Sequence, residues 1–147
     1  MEGYRFVFPV EVWFSDLDGM GHVNHVRYLS YCEQARLRYL AELGLFSGAL
    51  QDVNIIMAEA SCRYVSPGFL GEHLLVGTRV TELRNSSFLM DYEIREEKRG
   101  RLVAQASTAQ VFYDYQARRP VPLPDWFRAK VAQFEGIPSR TVPSGMV

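Results

Sequence analysis

The chain predicts an α+β fold in which one long helix covers an antiparallel sheet. Three observations carry this. Phe6, Phe8, Val10, Val12 and Phe14 alternate with other residues, the period of a strand. Val26 to Leu43 runs without Gly or Pro, as a helix requires. After that helix come apolar, β-branched runs separated by short turns, the pattern of antiparallel neighbours.

The helix is expected from about Asn24 to Leu43. Tyr28, Cys32, Ala35, Tyr39 and Leu43 form one apolar row, and Leu29, Arg36 and Leu40 lie beside it. So wide an apolar sector suits a helix largely enclosed by a sheet. Asn24 is placed to accept hydrogen bonds from the first turn as N-cap, and Gly44 to end the helix in a left-handed conformation. A second strand is expected from about Val53 to Tyr64, closed by Ser66-Pro67-Gly68. A third carries Leu74, Val76 and Val80 to a turn at Arg84-Asn85-Ser86. Next, Phe88, Met90, Tyr92 and Ile94 alternate with Asp91, Glu93 and Arg95, so that strand buries one face. Lys98-Arg99-Gly100 turns the chain into a final strand from Leu102 to Tyr115. Pro124 to Phe134 reads as a short helix stopped by Gly136 and Pro138. Residues 1–136 form one domain in this reading, and 137–147 a weakly ordered tail.

At 147 residues one domain is expected, with about two-thirds of the unfolded surface buried and no metal or disulfide needed for a core. A net charge of −1 argues against a nucleic-acid binder. Two cysteines do not make a secreted disulfide framework. No apolar run is long enough to span a membrane, and the N-terminus lacks the apolar block of a signal peptide. The expectation is a cytoplasmic protein.

Chemistry concentrates between the first strand and the helix, in Asp16-Leu17-Asp18-Gly19-Met20-Gly21-His22-Val23-Asn24-His25. Two carboxylates, two imidazoles and an amide meet the helix N-terminus, where unpaired N–H groups favour negative charge. Acid, base and oxyanion donor can therefore act at one place. Each residue also has a plainer role open to it. Asp18-Gly19 can be only a turn, Asn24 only a cap, and His22 only a donor to a loop carbonyl. Glu33 is best read as an ion-pair partner of Arg36 three residues on. A metal site is not expected: His22 and His25 share a helical face only if the helix begins at His22, which Gly21 and Asn24 oppose. No Gly-x-Ser-x-Gly elbow is present.

Ser15-Asp16-Leu17-Asp18, Gly21-His22-Val23-Asn24, Tyr28-Leu29, Glu33-Gln34-Ala35-Arg36 and Tyr64-Val65-Ser66-Pro67…Gly71 resemble the hot-dog-fold thioesterases of the 4-hydroxybenzoyl-CoA thioesterase type. The resemblance spans about residues 5 to 115. It implies a hot-dog fold, a long central helix wrapped by a curved five-stranded antiparallel sheet. It also implies a homodimer, or a tetramer built as a dimer of dimers, with sites at the dimer interface. By the same resemblance Asp18 attacks the thioester carbonyl or activates water, and the His25 N–H polarises the carbonyl oxygen. Short-chain acyl-CoA relatives also carry a histidine at the position of His25. In plant acyl-carrier-protein thioesterases the catalytic histidine matches His22, while Met20 stands where those enzymes place a functional asparagine. The expected site is therefore Asp18, His25 and His22 for catalysis, with Asn24, Tyr28 and Arg84 binding substrate. Arg84 matches a basic run in the 4-hydroxybenzoyl-CoA enzyme and suits a coenzyme A phosphate. The expected activity is hydrolysis of an acyl-CoA to a carboxylic acid and free coenzyme A, with no metal or cofactor. Hydrolysis of acyl-acyl-carrier-protein, or non-catalytic binding of an acyl thioester, are the alternatives.

Overall fold

The computed structural model describes residues 1–45 and 54–140. Val53, the expected start of the second strand, and residues 141–147 of the expected tail lie outside the described residues. The order is β1 (Phe6–Glu11), a 3-10 turn (Phe14–Asp16), α1 (His25–Glu42), β2 (Ile55–Tyr64), β3 (His73–Leu83), β4 (Ser87–Glu96), β5 (Leu102–Asp114), β6 (Arg119–Pro120) and α2 (Asp125–Glu135). The antiparallel sheet is open and runs β1-β3-β4-β5-β2, with β6 on β5. Phe6 faces Thr78 and Glu11 faces His73 in the antiparallel β1–β3 register.

The expected α+β hot-dog architecture is present, with two corrections. Among the described residues the sheet has six strands, not five. Asp114 Oδ1 accepts the N–H groups of Gln116 and Ala117 at 2.9 and 3.0 Å, and Arg118 adopts a φ of 55°. That tight turn folds Arg119–Pro120 back onto β5, opposite Tyr113 and Asp114. The first strand also ends earlier than its alternation implies. Asp16 Oδ2 accepts the Trp13 N–H at 2.9 Å and closes a 3-10 turn, leaving Phe14 80 % exposed.

Helix α1 matches its expected span. Asn24 Oδ1 accepts the Val26 N–H at 3.1 Å, the capping contact, and Gly44 ends the helix with φ 73°. Of the expected apolar row, Tyr28, Cys32, Ala35 and Tyr39 are buried.

The chain packs as two compact units. One comprises Met1–Tyr39, Ser61–Arg79 and Asp91–Ala106. Within it, Tyr39 meets Phe6 edge-on at 5.6 Å and Arg36 Nη1 donates to the Tyr92 hydroxyl at 3.0 Å, so the helix lies on β1 and β4. The other comprises Leu40–Ala60, Val80–Met90 and Ser107–Val147. Phe88, Phe112 and Phe127 cluster at its centre, with Phe127 at 4.9 Å from each of the other two rings. There Val80 donates its N–H to Glu135, and Arg128 donates to the carbonyls of Arg84 and Asn85.

Candidate active site

The segment from Leu17 to Val23 is a tight hairpin. Leu17 and Val23 form a β-bridge, Asp18 N–H donates to the His22 carbonyl at 2.9 Å, and Gly21 N–H donates back to Asp18. At its tip Asp18 Oδ1 accepts the Met20 N–H at 2.8 Å, the side-chain turn expected of an Asp-Gly pair. The other oxygen, Oδ2, lies 3.4 Å from His22 Nδ1. One oxygen of the carboxylate is anchored and the other is held against an imidazole, so its orientation is set before any ligand arrives.

The hairpin hands the chain to α1 through Asn24, whose N–H donates to the Asp16 carbonyl at 2.9 Å. His25 is the first helical residue. Its N–H belongs to the turn that has no intrahelical acceptor, and no acceptor for it is present among the described residues.

Asp18, His22, His25 and Tyr28 line a single open cleft of about 330 Å³, all within the first unit. Its opposite wall is the end of β2 and the loop after it, from Tyr64 to Pro67. Tyr28 is the keystone of that wall. Its buried hydroxyl accepts the Gly68 N–H at 3.0 Å, while the Gly68 carbonyl accepts the Val23 N–H at 2.9 Å. Burial pushes the Tyr28 phenol above its usual range, opposed by the Gly68 hydrogen bond. A Cβ on Gly68 would stand 3.0 Å from Val23 Cγ2 and 3.5 Å from the Tyr28 hydroxyl, so a side chain there would press on Val23.

Asn24 and Arg84 are placed elsewhere. Asn24 spends its amide oxygen on the helix cap and does not line the cleft. Arg84 belongs to the second unit, where its Nε pairs with Glu82. Asp16 is engaged within the loop: it accepts the Trp13 N–H and lies 3.7 Å from Arg27 Nε. Burial first, and then this carboxylate, push the Tyr31 phenol upward.

The sequence reading did not assign Tyr64 to the site. Its ring meets His25 edge-on at 6.0 Å and Tyr28 at 5.5 Å, making an aromatic wall of residues from two distant segments. The available signal was its position immediately before Ser66-Pro67-Gly68, which ends the strand beside the helix N-terminus.

Asp18 with its carboxylate held in place, His22 beside it and His25 at the start of the helix thus line one cavity. Such a set can act on a carbonyl compound: it supplies a nucleophile or base and a donor for negative charge on oxygen.

Residues 12–131 match the Thioesterase-like superfamily. A 1,4-dihydroxy-2-naphthoyl-CoA hydrolase of Synechocystis sp. is 26% identical over 88% of this chain and 96% of its own length. The acyl-CoA thioesterase YbgC of Haemophilus influenzae is 29% identical over 84% of this chain and 92% of its own. Among solved structures, a thioesterase from Thermus thermophilus complexed with coenzyme A and Zn superposes with a TM-score of 0.84. It is 33% identical, covering 94% of this chain and 99% of that one.

Proposed function

The chain belongs to the thioesterase-like superfamily, and from that premise we propose that it hydrolyses acyl-CoA thioesters, with Asp18 as nucleophile or general base. The observation that carries this is the shared cleft of Asp18 and the His25 helix end. A thioester carbonyl seated there has the carboxylate on one side and the His25 N–H at its oxygen. One such donor is typically worth about 3 kcal/mol in the transition state. His22, 3.4 Å from Asp18, steadies the carboxylate and can share its proton. Tyr28 and Tyr64 wall the acyl thioester, and Asn24 contributes by presenting the helix terminus. Water supplies the hydroxyl of the acid and the proton of the departing thiol, so the reaction uses protein groups and water alone, with coenzyme A part of the substrate. Names of relatives that act on CoA thioesters support the reading.

The working unit in this reading is a homodimer. β2 is an edge strand of ten residues, largely exposed, with Met57 42% accessible. A long, mildly apolar edge of this kind is a template for pairing with a second chain. The two cysteines, Cys32 and Cys62, are free thiols, which fits a reducing cytoplasm.

The test is thiol release from a panel of acyl-CoA and acyl-acyl-carrier-protein substrates. Hydrolysis of one or more acyl-CoA thioesters, lost in Asp18→Asn, is expected. Turnover of acyl-carrier-protein substrates alone would shift the assignment to that carrier. Binding without turnover across the panel would leave a thioester-binding module.

A further inference from the structure

The hairpin that carries Asp18 and His22 is closed at its base where the Asn24 N–H donates to the Asp16 carbonyl at 2.9 Å. The position of Asp16 therefore sets where Asp18 stands relative to the helix end at His25. The Asp16 carboxylate is approached from two directions. In its own loop, Oδ2 accepts the Trp13 N–H at 2.9 Å. From α1, Arg27 Nε lies 3.7 Å from Oδ1, and Tyr31 stands one helical turn further on. Residues four apart share a helix face, so Arg27 and Tyr31 address the same carboxylate.

Tyr31 is 3% exposed, and among the described residues its hydroxyl makes no hydrogen bond. Burial pushes its phenol up first, and the Asp16 carboxylate comes next, ahead of every other charged group. A buried hydroxyl without an acceptor destabilises a folded chain, and native cores rarely keep one. Packing does not account for it, because phenylalanine would fill the same space without an orphaned O–H. The Tyr31 ring also meets Tyr28 edge-on at 6.1 Å, and the Tyr28 hydroxyl in turn accepts the Gly68 N–H. Tyr31 thus stands between the hairpin base and the residue that anchors the opposite cleft wall.

We propose that Tyr31 is a positioning residue: with substrate in the cleft, its hydroxyl donates to the Asp16 carboxylate and fixes the Asp18 hairpin against the helix end. This deepens the thioester hydrolase reading and rests on it. Hydrogen bonds that serve a reaction are often long in the free enzyme and tighten only when substrate is bound. A carbonyl seated at the His25 N–H draws Asp18 toward the start of α1. Because Asp16 and Asn24 are bonded to each other, the hairpin base follows, toward the helix that carries Tyr31.

The test compares Tyr31→Phe with the wild type in the full chain. Loss of one hydrogen bond to a charged group is expected to lower kcat for an acyl-CoA by at least about tenfold. KM is expected to stay within about twofold, since the bond is made on the way to the transition state. Without ligand, the melting temperature is expected to stay level or rise, because the orphaned O–H is gone. Wild-type kcat in the variant overturns the proposal. A fall in kcat that comes with a lower melting temperature also overturns it, as the mark of a purely structural role. Asp16→Asn keeps an acceptor for the Trp13 N–H but removes the anion. The double variant is expected to be no slower than the slower single one, and losses that multiply would show Tyr31 acting by another route. NMR of isotope-labelled tyrosine reads the contact without turnover. A non-hydrolysable thioether analogue of an acyl-CoA is expected to shift the Tyr31 Cζ resonance, identified by its absence from Tyr31→Phe, and to leave it in place in Asp16→Asn. A wild type that shows the shift yet hydrolyses no thioester sinks the hydrolase reading and keeps the contact. Hydrolysis with an unmoved resonance keeps the hydrolase reading and overturns the contact.

Discussion

Asp18 Oδ2 stands 3.4 Å from His22 Nδ1, while Asp18 Oδ1 accepts the Met20 N–H at 2.8 Å. The two oxygens thus have different duties, one spent on holding the hairpin and one turned toward an imidazole in the cleft. The turn-forming Asp and the Asp proposed to react are here the same residue, because the turn is what aims the free oxygen.

Asp18→Asn separates these duties. The amide oxygen can still accept the Met20 N–H, but the anionic base is gone. General-base catalysis is typically worth about 10²–10⁴-fold, and a lost nucleophile costs more, so kcat is expected to fall at least about 10²-fold with folding retained. Asp16→Asn is expected to be milder in kcat, since that side chain serves the Trp13 turn. Thiol-release kinetics on both variants decide it. The reverse order would identify the wrong carboxylate.

Tyr28→Phe removes the acceptor of the Gly68 N–H without opening a large void. A buried donor left unpaired typically costs about 1–3 kcal/mol, and thermal or denaturant unfolding reads that loss. Gly68→Ala presses on Val23 from the other side of the same contact. Both are expected to lower kcat/KM by displacing the cleft wall. Stability loss with kinetics untouched would show that the wall does not position substrate.

Met57→Lys tests the edge-strand reading. A lysine on an exposed edge opposes strand pairing by charge and by hydration. Light scattering at micromolar concentration is expected to show a wild-type dimer or larger and a shift toward monomer in the variant. A monomeric, fully active wild type would dispose of the shared-edge assembly.

Much of this was readable from the sequence because the signals were local. Asn24 and Gly44 mark the ends of α1, and the alternation from Phe88 to Ile94 marks the buried face of β4, whose four apolar residues are all at most 1% exposed. The hairpin from Asp18 to His25 is likewise one contiguous run. What escaped depends on contacts that a period does not encode. Phe14 keeps the strand alternation, yet Asp16 captures the Trp13 N–H and turns the chain first. β6 exists because Asp114 caps a turn, a choice between two outcomes equally compatible with the residues. Tyr64 joins the cleft only because β2 ends beside the helix N-terminus, far along the chain from His25. Arg84 looks like a free cation in sequence, and the carboxylate that pairs with it, Glu82, is two residues back at the end of β3.

The last prediction concerns Cys32, a fully buried thiol whose pKa is raised from 9.0 to about 12, by burial first and then by Cys62. A thiolate is the reactive form, so at neutral pH this cysteine is expected to resist alkylation until the protein unfolds. Cys62, on β2, is half-buried and also shifted upward, chiefly by burial. It is expected to label first, though slowly. The sign for stability follows from the raised value. The folded state favours the neutral thiol, so its contribution is complete below the unfolded pKa near 9 and is lost as pH climbs toward about 12. Denaturant midpoints measured across that interval should therefore fall more steeply for the wild type than for Cys32→Ala, which has no thiol to ionise. Cys32→Ala starts lower, because it leaves unfilled space in a packed helix face. Equal slopes for the two proteins, or rapid labelling of Cys32 in the native state at neutral pH, would show that the thiol is open to solvent rather than sealed beneath the sheet.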